Sequence, residues 1–384
     1  MKKNNALLSK LGILGGGQLG KMLLVAAEKY AIDTTILAAN KEDPCFKYAK
    51  KVVLGDLMDF DTVYQFGKKV EILTIEIEHI NTQALYKLEN EGVKVFPQPS
   101  IIATLQNKSK QKKFYKENNI PTAAYQKFDN LDDLQKNRPT FPFVWKSTTF
   151  GYDGTGVKII RFQKDLNTLE NKACIVENLV DYQMELSVIV ARNMRGQVRC
   201  YPPVEMIFHP EANQLEYVIS PARINDTLSK KTTAVAMQVA NAFKHIGLLA
   251  IEMFLNKAGE ILVNEVAPRA HNSGHYSIDN AYTSQFEQLL RAILNLPLGN
   301  TQNKQASVMV NLVGALGFKG AVQYQNIEEI MNLEGVSPYI YGKENTRPFR
   351  KMGHINIVNK NLETAYKIAR QIKQKVRVIG KIKN

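Results

Sequence analysis

The sequence is poor in the features that define several large protein classes. Its three cysteines, Cys45, Cys174 and Cys200, are far apart and unpatterned. That excludes a disulfide framework and a cysteine zinc site, and it suits a reducing cytoplasm. No stretch reaches the roughly 18 continuous apolar residues of a membrane span. The start, Met1-Lys2-Lys3-Asn4-Asn5, is basic, but Lys10 and a run of glycines break the apolar stretch after it, so no signal peptide is expected. Internal repeats and low-complexity tracts are absent. So is a Gly-Lys-Ser/Thr opening a helix, which excludes a Walker-type phosphate loop. The 50 basic and 36 acidic residues leave a charge of +14, yet the lysines are scattered among acids with no arginine-rich tract. A nucleic-acid surface would gather them. Solvated faces and small phosphorylated ligands are expected instead, with neither nucleic acid nor membrane as a partner.

The 384 residues suffice for two or three domains, at roughly 100–200 residues each. Residues 1 to about 100 alternate strand and helix, as in a small doubly wound domain. Residues 11–20, Leu-Gly-Ile-Leu-Gly-Gly-Gly-Gln-Leu-Gly, form a strand and a glycine turn. The helix after them should carry Met22, Leu23, Val25, Ala26 and Ala27 mostly on one side. Gly15-x-Gly17-x-x-Gly20 fits the dinucleotide fingerprint. The second strand, Thr34–Leu37, leads into Ala38-Ala39-Asn40 and lacks the ribose-binding acid, so a phosphate-binding or structural turn competes with an NAD(P) site. The strand Glu71–Ile75 runs into Glu76-Ile77-Glu78-His79, acids at the edge where open α/β sheets bind ligands. Val93–Phe96 is a further strand. Ser100 to Asn118 is a basic helix whose Lys108, Lys110, Lys112 and Lys113 are expected on a solvated face.

A different rhythm begins near Ile120. The strand Phe143–Lys146 ends in a lysine, and the glycine-rich Ser147–Gly156 leads to a strand at Val157–Ile160. Such a loop can fold over a triphosphate, or it is a flexible hairpin. Further strands cover 173–178, 185–190 and 217–219, and a long helix covers 227–245. Leu248–Leu255, with Glu252 in its middle, and Ile261–Val263 flank the turn Asn256-Lys257-Ala258-Gly259. The second strand should end at Asn264 and Glu265, with Pro268 stopping any ladder. Folding about the turn sets Glu252 nearly opposite Glu265. Facing carboxylates repel unless a cation or a proton intervenes. Either a magnesium-like ion binds there, or one acid points to solvent. Arg269, His271, Asn272, Ser273 and His275 follow closely. After a helix at 283–294, residues from about 300 form a last unit with a basic cluster, Lys343, Arg347, Arg350 and Lys351, which is a phosphate site or a surface loop.

Four stretches carry a family likeness: Gly-Gly-Gly-Gln-Leu-Gly (15–20), Gly-Tyr-Asp-Gly-Thr-Gly (151–156), Asn-Glu-Val-Ala-Pro-Arg-Ala-His-Asn-Ser-Gly-His (264–275) and Lys-Met-Gly-His-Ile-Asn (351–356). In order and spacing they cover nearly the whole chain. The sequence resembles the ATP-grasp superfamily and, within it, the N5-carboxyaminoimidazole ribonucleotide synthase family of purine biosynthesis. The resemblance implies α/β and α+β architecture in three parts: a Rossmann-like domain (1–105), an ATP-grasp unit (106–300, with a lid subdomain at about 120–185) and a small β-rich C-terminal domain (301–384). It also implies a cytoplasmic homodimer, with ATP as co-substrate and magnesium, or manganese in its place, as cofactor.

Residue by residue, the resemblance places Lys108 and Lys146 on the ATP phosphates under a lid of Gly151, Tyr152, Asp153, Gly154, Thr155, Gly156 and Val157. Glu177, Asn178, Leu179 and Val180 would hold adenine through strand-edge backbone groups, and Glu185 the ribose. Glu252 and Glu265 would bind the metal, with Asn264 nearby. Bicarbonate would attack the γ-phosphate to give carboxyphosphate, and 5-aminoimidazole ribonucleotide would then be carboxylated on its exocyclic amine. Arg269, His271, Asn272 and Lys343 would be catalytic. The first three would hold bicarbonate, and His271 would carry a proton. Gln18, Leu19, Glu76, Tyr152, Asp153 and Asn272 would position the aminoimidazole, while Lys343, Arg350 and Lys351 grip its phosphate. Three positions depart from the pattern. His209 falls one place late on the strand Glu205–Phe208, Ala267 stands where an asparagine is common, and Lys108 replaces an arginine. A formate-using glycinamide ribonucleotide transformylase should read Asp-Thr-Gly in place of Asn272-Ser273-Gly274. An NAD(P) oxidoreductase rests on the glycines alone, and a non-catalytic nucleotide sensor would need a broken metal pair.

Overall fold

The computed structural model describes residues 6–137, 140–149 and 156–383. Short apolar runs build a first sheet from β1 (Leu11–Leu14), β2 (Thr34–Ala38), β3 (Val52–Leu54), β4 (Ile72–Ile75) and β5 (Lys94–Phe96). They pair in parallel in the order β3-β2-β1-β4-β5. β1 and β4 are buried along their whole length, as strands covered on both faces must be. β3, not expected from the sequence, is an edge strand of only three residues, Val52-Val53-Leu54, apolar yet mostly exposed and too short to show a strand period. The helix Gln18–Glu28 buries Leu19, Leu23 and Ala27, spaced four apart on one stripe. Val25, expected on that face, is 65% exposed. The single basic helix expected at 100–118 is two helices, Pro99–Leu105 and Lys108–Glu117. Asn107 separates them by capping the second, its side chain accepting from the Lys110 amide at 3.0 Å.

A small antiparallel sheet follows, with β6 (Tyr125–Phe128), β7 (Phe143–Ser147), β8 (Val157–Ile160) and β9 (Cys174–Asn178) in the order β6-β9-β7-β8. It has its own core around Phe143, Trp145 and Leu166. Next come β10 (Tyr182–Arg192), β11 (Val198–Cys200), β12 (Val204–Phe208), β13 (Leu215–Ser220), β14 (Gly247–Asn256) and β15 (Ile261–Ala267). The last strands are β16 (Ala306–Val313), β17 (Phe318–Gln325), β18 (Val336–Ile340), β19 (Asn345–Thr346), β20 (Lys351–Asn359) and β21 (Arg377–Lys383). One nine-stranded sheet runs β15-β14-β10-β12-β13-β16-β20-β18, with β11 on β10. The C-terminal part is therefore joined edge to edge to the ATP-grasp part through Tyr217↔Val310 and its neighbours. β19-β17-β21 form a separate three-stranded sheet.

The β14–β15 hairpin has the expected turn. Asn256 Oδ1 accepts from the Ala258 and Glu260 amides at 3.0 and 2.8 Å, and Gly259 takes φ +77°. β15 does not end at Asn264 and Glu265 as expected. It continues to Ala267 through a bulge, pairing Met253 with Val263 and then Glu252 with Glu265, so that Asn264 is the extra residue. Polar residues are tolerated there because each has a charged partner: Lys146 meets the partly buried Asn264, and Lys108 meets the exposed Glu265.

The helix Gln285–Ile293 completes the scaffold. Its Phe286, Leu289, Leu290 and Ile293 form one core with Leu19, Leu23 and Ala27 of the N-terminal helix and with Ile189, Leu248 and Ala250 of the large sheet. Among the described residues no helix is long and apolar enough to cross a membrane. Replacing Leu23 or Leu290 by Ala, each almost fully buried in this shared core, is expected to cost about 2–5 kcal/mol, read by urea unfolding. A loss below about 1 kcal/mol at both positions would mean the two parts do not pack as one.

Candidate active site

The bulged end of β15 lies against the helix Lys108–Glu117 and the edge of the small sheet. Lys108 and Lys112 are one helical turn apart and share a face. Lys108 Nζ sits 2.8 Å from Glu265 Oε1. Lys112 Nζ is 3.2 Å from Glu177 Oε1 and donates to Thr122 Oγ1 at 2.6 Å. From β7, Lys146 Nζ reaches Glu177 Oε2 at 3.0 Å and Asn264 Oδ1 at 3.1 Å. Lys112 was expected on a solvated face and is 1% exposed. The four-residue spacing from Lys108 is the signal that could have placed it inward.

The Glu177 side chain has a task beside the backbone one that the resemblance implies. It lies mid-sheet, opposite Tyr125 and Val144, and its buried carboxylate bridges Lys112 and Lys146. A buried acid needs such partners. Burial would raise its carboxyl, but Lys146 and Lys112 hold it below the ordinary range. Burial in turn pushes Lys112 down to about 8, against the pull of Glu177. Asn178, Leu179 and Val180 follow; the last two lie outside any strand. Glu265 keeps half its side chain exposed; what burial it has would raise its carboxyl, but Lys108, Lys146 and His271 outweigh that and hold it at about 2.

Glu252, the register partner of Glu265, sits beside His271, with Oε1 3.1 Å from His271 Nε2. The Ser273 amide donates to His271 Nδ1 at 3.2 Å, so the ring proton resides on Nε2. Ser273 Oγ lies 2.9 Å from the same Nδ1 and 2.8 Å from the buried Ser187 Oγ. Asn272 is buried, and neither of its side-chain amide atoms has a hydrogen-bond partner among the described residues. A buried amide with no partner is costly and marks a place for a polar ligand. Arg269 Nε is 2.9 Å from Glu78 Oε2, which ties this segment to the edge of the first sheet.

At that edge the glycine turn is filled from within. Glu76, just past β4, accepts from the Gly17 and Gly20 amides at 3.0 and 3.3 Å. Gly15 takes φ +107°, and a Cβ there would lie 2.5 Å from Glu76. The amides that a dinucleotide pyrophosphate would need are therefore occupied by a carboxylate, which removes the ground for the NAD(P) reading. Burial pushes the Glu76 carboxyl up, against the pull of the Gly17 amide and Arg269. Gln18 opens the helix, whereas the Leu19 side chain is buried in the shared core and offers a ligand only its backbone.

The C-terminal basic residues are divided. Lys343 Nζ donates to the Lys351 carbonyl at 2.8 Å. Its segment is pinned to the N-terminal domain by Lys21 Nζ, which donates to the Ile340 and Tyr341 carbonyls at 3.0 and 3.2 Å. Arg350 turns back onto its own loop, donating to the Asn345 carbonyl at 2.7 Å. His354 and Asn356 serve a seam between the two parts of the large sheet. The His354 ring lies 4.6 Å from His275 and stacks on Tyr339 at 4.7 Å, while Asn356 Nδ2 donates to Asp279 Oδ2 at 2.7 Å. Burial pushes both imidazoles below their ordinary range, His354 to about 3. His209 accepts from the Glu211 and Ala212 amides of its own turn. The expected lid residues Gly151 to Thr155 lie outside the described residues. Gly156 accepts from the Ser147 amide at 2.9 Å, and Val157 pairs with Lys146.

Known families match the chain part by part. Family models match for a ribonucleotide synthetase preATP-grasp domain at residues 8–106, an ATP-grasp domain at 113–286 and a phosphoribosylaminoimidazole carboxylase C-terminal domain at 307–367. The N5-carboxyaminoimidazole ribonucleotide synthase of Bacillus subtilis is 36% identical over 356 residues, covering 91% of each chain. The chain belongs to the N5-carboxyaminoimidazole ribonucleotide synthase family of ATP-grasp proteins. The phosphoribosylaminoimidazole carboxylase of Ogataea methanolica is also 36% identical over 92% of this chain. The chain spans about two thirds of that fungal relative's length (67%) and 65% of the Candida albicans one. The synthetase structure from Thermotoga maritima is 40% identical with a TM-score of 0.90, over 97% of this chain and 100% of that one. The Aspergillus clavatus synthase, in complex with ADP and 5-aminoimidazole ribonucleotide, is 30% identical with a TM-score of 0.87, over 96% and 99%.

Whether this family member's residues suit a divalent ion is a question of donor type. Glu252, Glu265 and Asn264 are all hard oxygen donors grouped by the bulge, as magnesium prefers. Among the described residues no group of three or more His, Cys, Asp or Glu side chains could hold a metal. Two carboxylates and an amide therefore fit an ion that completes its shell with phosphate and water. Glu185, two residues from the register partner of Glu252 on β10, has its carboxyl pushed up to about 7 by burial, with the Tyr182 hydrogen bond opposing and Glu252 reinforcing. Between its unfolded value of 4.5 and about 7, the folded protein keeps a proton that the unfolded chain has lost. The Glu185 contribution to stability thus falls as pH rises through that window. Glu185→Gln in EDTA should differ from the parent by a constant below about pH 4.5 and gain steadily in urea midpoint up to about pH 7. A pH-independent difference would contradict the assigned shift.

Proposed function

We propose that the protein is an ATP-dependent carbon–nitrogen ligase that carboxylates 5-aminoimidazole ribonucleotide with bicarbonate in purine biosynthesis, releasing ADP and phosphate. The observation that carries this reading is the common edge of β14 and β15. There Glu252 and Glu265 face each other between lysines suited to phosphates on one side and the His271–Asn272 segment on the other. Family membership supplies the substrate class.

Lys108 and Lys146 hold the ATP phosphates, and Lys112 keeps Glu177 charged so that Lys146 stays oriented. Leu179 and Val180 offer free backbone groups to adenine, and Glu185 reaches the ribose. Glu252 and Glu265, beside Asn264, would hold a magnesium ion, which when bound would supply positive charge to the transferred phosphoryl group. Asn272 and Arg269 bind bicarbonate, whose oxygen attacks the γ-phosphorus as the bond to the β-phosphate oxygen breaks. Because its proton is on Nε2, His271 acts as a donor to an anionic oxygen of the phosphorylated bicarbonate. The exocyclic amine then attacks the carbonyl carbon, loses its proton and displaces phosphate. Gln18, Glu76 and Lys343 position the ribonucleotide, with Lys351 and Arg350 toward its phosphate. The enzyme acts as a cytoplasmic homodimer, as the resemblance implies.

ADP formation should require both the ribonucleotide and bicarbonate, measured in a coupled assay with each omitted in turn. ADP release indifferent to the ribonucleotide would sink the proposal. Glu265→Gln should lower turnover by at least about 10²-fold while circular dichroism shows an intact fold. Near-parental turnover would refute the metal assignment.

A further inference from the structure

Gln285 lies at the start of the helix Gln285–Ile293, is completely buried and touches none of the groups placed around ATP. All three polar contacts of its side chain go to the segment that follows β15. Oε1 accepts from the His271 amide at 2.9 Å, and Nε2 donates to the His271 carbonyl at 2.8 Å. Nε2 also lies 3.1 Å from His275 Nδ1. The amide orientation is not arbitrary, because a backbone N–H demands an acceptor and a carbonyl demands a donor. One side chain therefore holds both backbone groups of His271, as a neighbouring strand would.

The clamp is itself seated. The Gln285 amide donates to Ser277 Oγ at 2.9 Å, and Ser277 Oγ donates to the Gly274 carbonyl at 2.5 Å. Gly274 fits so closely that a Cβ would stand 2.4 Å from Gln285 Oε1 and 2.3 Å from Ile189. The His271 ring is fixed by other groups, Ser273 and behind it Ser187. Gln285 thus sets where the His271 backbone lies, Ser273 sets how the ring turns upon it, and Asn272 lies between the two attachments.

We propose that Gln285 is a positioning residue for bicarbonate handling: it fixes the backbone of His271 and so aims the His271 ring and the Asn272 amide without touching substrate. The role of His271 rests on the carboxylation reading, whereas the clamp itself does not. Gln285→Glu keeps shape and volume but removes the Nε2 donors. Long-range 1H–15N spectra of the histidines, recorded on the full-length protein without substrates, should show His275 moving its proton to Nδ1 and His271 leaving a single Nε2–H form. The KM for bicarbonate should rise about 10–100-fold while the KM for ATP stays within about twofold. Unchanged His271 signals would overturn the clamp, and a bicarbonate KM within about twofold of the parent would overturn its positioning role. If Gln285→Glu lacks a cooperative unfolding transition, Ser277→Ala, which loosens the same seat but keeps the Nε2 donors, decides by the bicarbonate KM: a rise with the KM for ATP unchanged supports the positioning role, and a KM within about twofold of the parent overturns it. A parent protein whose ADP release ignores bicarbonate and ribonucleotide defeats the functional reading instead, and the spectra alone then judge the clamp.

Discussion

Two acids placed opposite each other in one strand pair are the constraint on which the site depends. Glu252 and Glu265 are set face to face by the β14–β15 register, where their mutual repulsion must be offset. Donors close in from several elements: the Lys108 ammonium on Glu265, the Lys146 ammonium on the neighbouring Asn264 and the His271 Nε2–H on Glu252. Glu177 and Lys112 extend the pattern, since Lys146 needs a second carboxylate and that carboxylate, being buried, needs a second lysine. Such an alternating lattice suits a site through which a polyanion and its counter-ion pass. Each protein group already has the charge partner that a phosphate or a metal replaces.

The first sheet shows how a phosphate-loop shape can be kept and put to another use. Gly15, Gly17 and Gly20 keep the close backbone approach that such loops need, but Glu76 takes up their amides. The loop then orients a carboxylate toward the cleft where Arg269 and Glu78 meet. A glycine fingerprint is a statement about backbone room, and what fills that room is decided by a residue roughly 60 positions away.

Legibility in the sequence followed the range of the interaction. The hairpin at 256–259 and the opposition of Glu252 and Glu265 could be foreseen, because a turn of fixed length sets a register. The parallel N-terminal sheet and the long helices were also visible in local periodicity. The bulge at Asn264 was not, since nothing local says that a polar residue continues a strand rather than ending it. Lys112 was misjudged for a similar reason: its burial depends on Glu177, far along the chain. Gln285 reads as an ordinary residue at a helix start, and its task shows only once the segment after β15 is folded against it. The site residues at 264–275 were legible chiefly through family likeness, because their chemistry is set by neighbours from many separate stretches, from Glu78 and Lys108 to Gln285 and His354.

The core shared by the N-terminal helix, the helix Gln285–Ile293 and the large sheet bears on how this chain can be divided. Its sequence splits into three recognisable modules, yet the fold does not split where the modules do. A fragment ending near residue 105 would carry Leu19, Leu23 and Ala27 as a bare apolar stripe. The remainder would expose Phe286, Leu289 and Leu290 in turn. Modules that trade a face of their cores in this way are inherited together. Exchange of the N-terminal part between relatives should succeed only when the helix at 285–293 is exchanged with it.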